Sequence, residues 1–145
     1  MPDSPSNAPT RPTVSEADAG AALQAALSAA NAMGVPVTVV VVDESGVQKA
    51  MVRQDGAPLV SIETALNKAY AAAAIGMPPD DFYAAIESDG AAVASFATRP
   101  GLALIAGGIP ILVEGRVAGA VGVAGAMTGA EDRRIAEAAA NQIAR

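Results

Sequence analysis

The chain has 145 residues, enough for one domain, and a net charge of −6. That charge argues against a nucleic-acid partner, whose phosphates need clustered Lys and Arg. The absence of Cys and His removes disulfides, thiol nucleophiles, the commonest metal ligand and the commonest neutral-pH base, so no metal site is expected.

Hydrophobic residues make up 52% of the chain but aromatics only 3%, so the core must be built from Ala, Val, Ile and Leu. Small side chains bury little area each, and a lone monomer core would be thin. Further copies of the chain are therefore expected to cover part of its apolar surface. The N-terminus has no basic region followed by an apolar core, and no long apolar run goes unbroken by charge. Neither a secretory signal nor a membrane span is expected, which leaves the cytoplasm as the default location.

In chain order, residues 1–12 are rich in Pro, Ser and Asn and read as a disordered tail. Residues 13–145 read as a single domain. Thr13 and Glu16 have capping-box spacing, and Leu23, Ala26, Leu27, Ala30 and Met33 follow at helical spacing. This predicts a helix over Val14–Met33, closed by Gly34 and Pro36. Val37–Val42 is a strand with five Val in six residues, so both of its faces should be covered. Asp43 to Gly46 form a turn, and Val47–Arg53 is the return strand. Ser61 is placed to cap the next helix, with Glu63 in its first turn. Ile62, Ala65, Leu66, Ala69 and Ala73 give that helix a buried stripe, and Glu63, Thr64, Asn67 and Lys68 a polar side. Gly76 and Pro78 end it. Pro79–Ala97 reads as one or two short helices, followed by a loop at Thr98–Gly101.

Ile109–Val113 and the stretch from Val117 are strands joined by a Glu114-Gly115 turn. In the second strand Val117, Gly119, Val121 and Val123 share one parity. Ala118, Ala120, Gly122 and Ala124 share the other. The second face is almost bare backbone, so a helix, another subunit or a flat ligand must approach it closely. Close packing of an Ala-rich helix is the favoured choice. Thr128 and Glu131 start a last helix over Gly129–Ile143. Strand pairs joined by hairpins, with helices between them, indicate an antiparallel sheet in an α+β domain.

With these elements placed, the sequence resembles the GlcG/HbpS (DUF336) family. Three blocks carry the likeness: GVPVTVVVVDESGVQKAMVRQDGA, SIETALNKAYAAAAIGMP and RPGLALIAGGIPILVEGRVAGAVGVAGA. The resemblance implies a profilin-like or PAS-like fold, a five-stranded antiparallel sheet flanked by helices, assembled as tetramers or octamers. Family roles include haem-binding sensors, a domain fused to cobalamin adenosyltransferases, and small proteins of glycolate or aromatic-degradation operons. Without His a histidine-ligated haem is excluded. Tyr, Met, Lys or Thr are left to hold a haem or related tetrapyrrole.

Lys68, in the NKAYAA block, is a candidate to hold a carboxylate such as a haem propionate, or to act as a base or Schiff-base amine. The alternative is a solvated Lys on a polar face. Arg53 and Arg99 sit beside turns and offer planar forks for a carboxylate; an ion pair of Arg53 with Asp55 or Asp43 is the alternative. Gly107 and Gly108 can present N–H groups to an anion, or serve a left-handed turn. Asp43 and Glu63 are candidate acids or bases. Tyr70 is one of two phenols. Two classes of function follow. One is an oligomeric binding module for a tetrapyrrole, with Lys68, Arg99, Gly107, Gly108 and Tyr70 on the ligand. The other is a hydratase, isomerase or dehalogenase for a small unsaturated carboxylic acid, with Lys68, Arg99, Arg53 and Glu63 at the reaction centre. A purely structural oligomer is the third option.

Overall fold

The structure is a computed structural model that describes residues 7–145. The first six residues of the expected tail lie outside the described residues. Residues 7–12 form no helix or strand, and the Arg116 guanidinium donates to the Thr10 carbonyl at 3.1 Å.

Helix α1 is Glu16–Met33, two residues shorter at its start than the spacing predicts. Val14 causes the difference. Its side chain is buried, and its N–H donates to the Ala118 carbonyl at 2.9 Å, so the chain stays extended there. The helix begins only once Ser15 accepts from the Asp18 N–H at 3.0 Å, which displaces Thr13 as the cap. Gly34 closes the helix in the left-handed conformation.

Strands β1 (Thr38–Asp43) and β2 (Gln48–Arg53) form one hairpin. Strands β3 (Gly108–Val113) and β4 (Arg116–Ala124) form another. The sheet is antiparallel, in the order β2-β1-β4-β3. Among the described residues it has four strands, where the resemblance implies five.

Helices cover both faces of β1, as a Val-rich central strand requires. Val39 and Val41 pack with Val121, Val123 and the Ala-lined stripes of α1 and α5 (Gly129–Ile143). Val40 and Val42 pack with Ala65, Ala69, Ala72 and Ala73 of α2 (Ser61–Ile75). A register shift in the β3–β4 ladder sets Ile111 opposite Gly119 but Leu112 opposite Val117. The extra residue, Ala118, breaks the strict alternation. Val117 therefore joins the α2 side and Ala118 the α1/α5 side, the reverse of the simple parity reading.

The bare face of β4 is where α2 sits. A Cβ on Gly122 would lie 2.6 Å from the Ala69 nitrogen and 2.8 Å from the Ala69 Cβ, and would also clash with the Ala65 carbonyl. Only glycine lets the helix backbone come this close. Helix α2 itself starts without a side-chain cap. Ser61 is its first residue and is buried; its Oγ donates to the Pro58 carbonyl and lies 2.7 Å from Thr38 Oγ1. The expected capping role fails because Pro58 to Val60 already turn, with Ser61 N–H bonded to Pro58 and Ile62 N–H to Leu59.

Two short helices, α3 (Pro79–Ile86) and α4 (Gly90–Ala97), follow α2. Arg133 of α5 holds α3 through Asp80 and Asp81, each at 2.7 Å, and pairs with Glu137 at 2.6 Å. No helix among the described residues is long and apolar enough to cross a membrane.

Candidate functional site

Lys68 decides where the site lies. The helical wheel puts it on the polar side of α2, yet it is only 2% exposed. The reason is tertiary: the loop before β3 and the N-terminus of α5 close over that side of the helix. A buried ammonium needs acceptors and a counter-charge. Lys68 Nζ donates to the Val123 carbonyl at 2.9 Å and to Asp132 Oδ2 at 2.9 Å. The other Asp132 oxygen accepts from the Ala126 N–H at 3.0 Å.

Gly107 makes room for the ammonium. It has φ +129°, and a Cβ there would lie 2.7 Å from Lys68 Nζ and 2.5 Å from the Val123 carbonyl. Gly108 lies against the Lys68 backbone in the same way. These two glycines serve close approach to Lys68.

Asp132 is 5% exposed, and its carboxyl is raised above the ordinary Asp value of 3.8. Burial is the largest cause. The hydrogen bond and charge of Lys68 and the Ala126 N–H oppose it, and Glu131 adds a small upward push. The sequence reading missed this residue. The signal was available: Asp132 continues the buried stripe of Ile135, Ala136, Ala139, Ala140 and Ile143 at helical spacing. An acid in register with an apolar stripe must find a buried partner.

Above the pair opens a pocket of about 470 Å³. Its walls are the start of α2, the loop at Ile105–Ala106, the end of β4 and the first turn of α5. Three large apolar side chains line it while mostly exposed: Val60 at 71%, Ile105 at 52% and Met127 at 89%. Thr64 and Thr128 add hydroxyls. Thr128 also caps α5, accepting from the Glu131 N–H at 3.2 Å as its spacing predicts.

The structure brings Lys68, Gly107 and Gly108 together and leaves the other candidates apart. Arg53 is exposed at the end of β2 and lines a different cavity, of about 520 Å³, with Asn31, Pro36 and Asp55. It makes no ion pair with Asp43 or Asp55. Asp43 instead accepts from the Ser45 and Val47 N–H groups, as a turn former does. Arg99 is exposed after α4, with its guanidinium 4.6 Å from the Phe96 ring centroid. The loop that carries it reaches the Lys68 pocket through Ile105 and Ala106 instead. Tyr70 lines a third pocket with Leu66, Asn67 and Pro100. Glu63 is exposed on the first turn of α2. Among the described residues no group of three or more Asp or Glu is arranged to hold a metal ion.

Comparison with known proteins agrees with this architecture. A 15.0 kDa protein of the dhaT-dhaS intergenic region of Citrobacter freundii is 33% identical over 128 residues, covering 88% of this chain and 89% of that one. A double variant of HbpS from Streptomyces reticuli superposes with a TM-score of 0.87 at 28% identity, over 100% of this chain and 97% of that one. The haem complex of PduOC superposes with a TM-score of 0.82 at 26% identity, over 90% of this chain and 95% of that one. Residues 14–141 match the family described as haem-degrading protein, HbpS-like, and the chain belongs to that family.

Proposed function

We propose that this protein is a ligand-binding module of the cytoplasm that takes haem or a related tetrapyrrole in the pocket above Lys68 and Asp132. The observation that carries the reading is the rim. Val60, Ile105 and Met127 stand mostly exposed around one concave site, where an apolar ligand would bury them. The family match and the haem complex of PduOC support it.

Val60, Ile105 and Met127 suit the apolar face of a macrocycle, and the Met127 thioether is the soft donor at the site. Bound haem would supply a redox-active iron and a strong visible absorbance. The residues of the chain supply the apolar contact and exclude water from the floor. Among the described residues Lys68 is the one cation lining the pocket, and Asp132 already neutralises it.

A second copy of the chain belongs to the reading. Helix α4, GAAVASFA, is strongly apolar yet buries none of its residues. A tetramer or octamer would cover it, and a light-scattering mass of one chain would overturn that part. The ligand is tested by titrating haemin and following its Soret band. The wild type should saturate at low micromolar haemin, and Ile105→Asp should weaken binding at least tenfold. Arg53→Ala and Arg99→Ala should bind as the wild type does. Binding that never saturates, or equal binding by Ile105→Asp, contradicts the assignment.

A further inference from the structure

The floor of the pocket has a property that the apolar rim does not explain. An ammonium carries three N–H donors. Two of those of Lys68 are engaged, one by the Val123 carbonyl and one by Asp132 Oδ2. The third has no acceptor among the described residues, and Lys68 lines the pocket. Lys68 is therefore both a structural ion and an open donor.

An anion arriving at that donor would meet an unfavourable charge count. Asp132 Oδ2 lies 2.9 Å from Nζ, so two carboxylates would share one buried ammonium. In a dry site two like charges at such range do not both stay ionised, and one takes a proton. Besides Lys68 the groups facing Asp132 are neutral or acidic, with the first turn of α5, on which it sits, favouring a carboxylate. Helix α2 contributes Lys68, the end of β4 and the loop after it contribute the Ala126 N–H, and α5 contributes Glu131, which repels.

We infer that the pocket binds monocarboxylic acids with apolar bodies, Lys68 taking the carboxylate and Asp132 taking the proton. The exchange balances: the ligand O–H bond breaks, an O–H bond forms on Asp132, and the ligand carboxylate accepts from the free Lys68 N–H. The floor stays neutral before and after. The apolar rim would be crossed by an uncharged acid, which avoids desolvating an anion there. Burial already holds the Asp132 carboxyl above its ordinary range, which is the direction the exchange needs. The inference rests on the same pocket as the tetrapyrrole reading and concerns its recognition of carboxyl groups.

The test is isothermal titration of the full chain with hexanoate and benzoate, against hexanamide and benzamide as uncharged isosteres. Titrations at pH 7 in phosphate and in Tris measure proton exchange with the buffer. The acids should bind at least tenfold more tightly than the amides, with uptake of one proton per ligand, and affinity should fall as pH rises. Since Asp132→Asn leaves a buried ammonium unpaired and can fail to fold, the partner variant is the apolar double, Lys68→Met with Asp132→Leu. It should fold and lose the preference for acids over amides. Equal binding of acids and amides by the wild type overturns the inference, as does acid binding without proton uptake or an acid preference retained by the double variant. Haemin titration of the same samples separates the two readings. Haemin bound with no acid preference refutes only this inference; acids bound with proton uptake but no haemin refutes only the tetrapyrrole reading.

Discussion

Asp132 and Arg133 are neighbours on α5, and each joins that helix to another by an ion pair. Their surroundings make the pairs different objects. Asp132 meets Lys68 where both side chains are under a tenth exposed. Arg133 meets Asp80, Asp81 and Glu137 at the surface, with more than a quarter of its side chain in solvent. Its three carboxylate partners hold its guanidinium pKa even further above the assay range, so it stays charged throughout. Buried charges depend on each other, because either one left alone keeps its full desolvation cost. Surface charges share their neighbours with water, and losing one changes little. Distances near 3 Å occur in both places, so distance alone does not tell which pair matters.

Breaking the buried pair tests this contrast hardest. Lys68→Met or Asp132→Asn alone should cost about 3–5 kcal/mol, read by urea unfolding. Joining Lys68→Met to Asp132→Leu should recover most of that loss, since an apolar pair replaces two buried charges. A double variant as unstable as either single one would show that the pair holds the fold by more than charge balance. The pH dependence sharpens the same point. The folded-state pKa of Asp132 lies above 3.8, so between 3.8 and that raised value the folded state binds more protons than the unfolded state. The contribution of Asp132 should therefore fall as pH rises through that window. Measured against Asp132→Asn, wild-type stability should decline there; a flat or rising difference contradicts the assigned cause.

Gly122→Ala comes next. It forces a methyl group against the backbone of α2 at Ala65 and Ala69, and overpacking of this kind costs about 1–3 kcal/mol. Unchanged urea midpoints would mean that α2 shifts away freely. Arg133→Ala is expected to cost least, about 1 kcal/mol or less, with its effect reduced by salt. A loss as large as that of Asp132→Asn would erase the distinction between the two pairs.

The legibility of the sequence follows the same division between local and tertiary causes. Periodicity with Gly and Pro stops places α1, α2 and α5, and short apolar or alternating runs bounded by turn signals place both hairpins, within one or two residues of their observed limits. Those signals are local. Ser61 loses its cap role to a local turn at Pro58 to Val60, and the other misses are tertiary. Thr13 loses its cap role to a bond between Val14 and Ala118 on a distant strand. The faces of Val117 and Ala118 exchange because of a bulge opposite β3. Lys68 looks solvent-facing on a wheel of α2 alone, and only the arrival of α5 and the loop before β3 buries it. Asp132 carries a local hint, its register with Ile135 and Ala139, which gains meaning once a buried Lys is known. The VGV glycine points to a close approach, and the structure supplies its object, the α2 backbone; Gly107 and Gly108, read as anion donors or a left-handed turn, instead lie against Lys68.

Hydrogen–deuterium exchange with and without haemin tests the assignment of the ligand site most directly. The account predicts added protection at residues 60–64, 105–107 and 124–129, with none at residues 30–36 and 52–55 around Arg53. Protection confined to the Arg53 cavity, or to Tyr70 and residues 100–101, would contradict it.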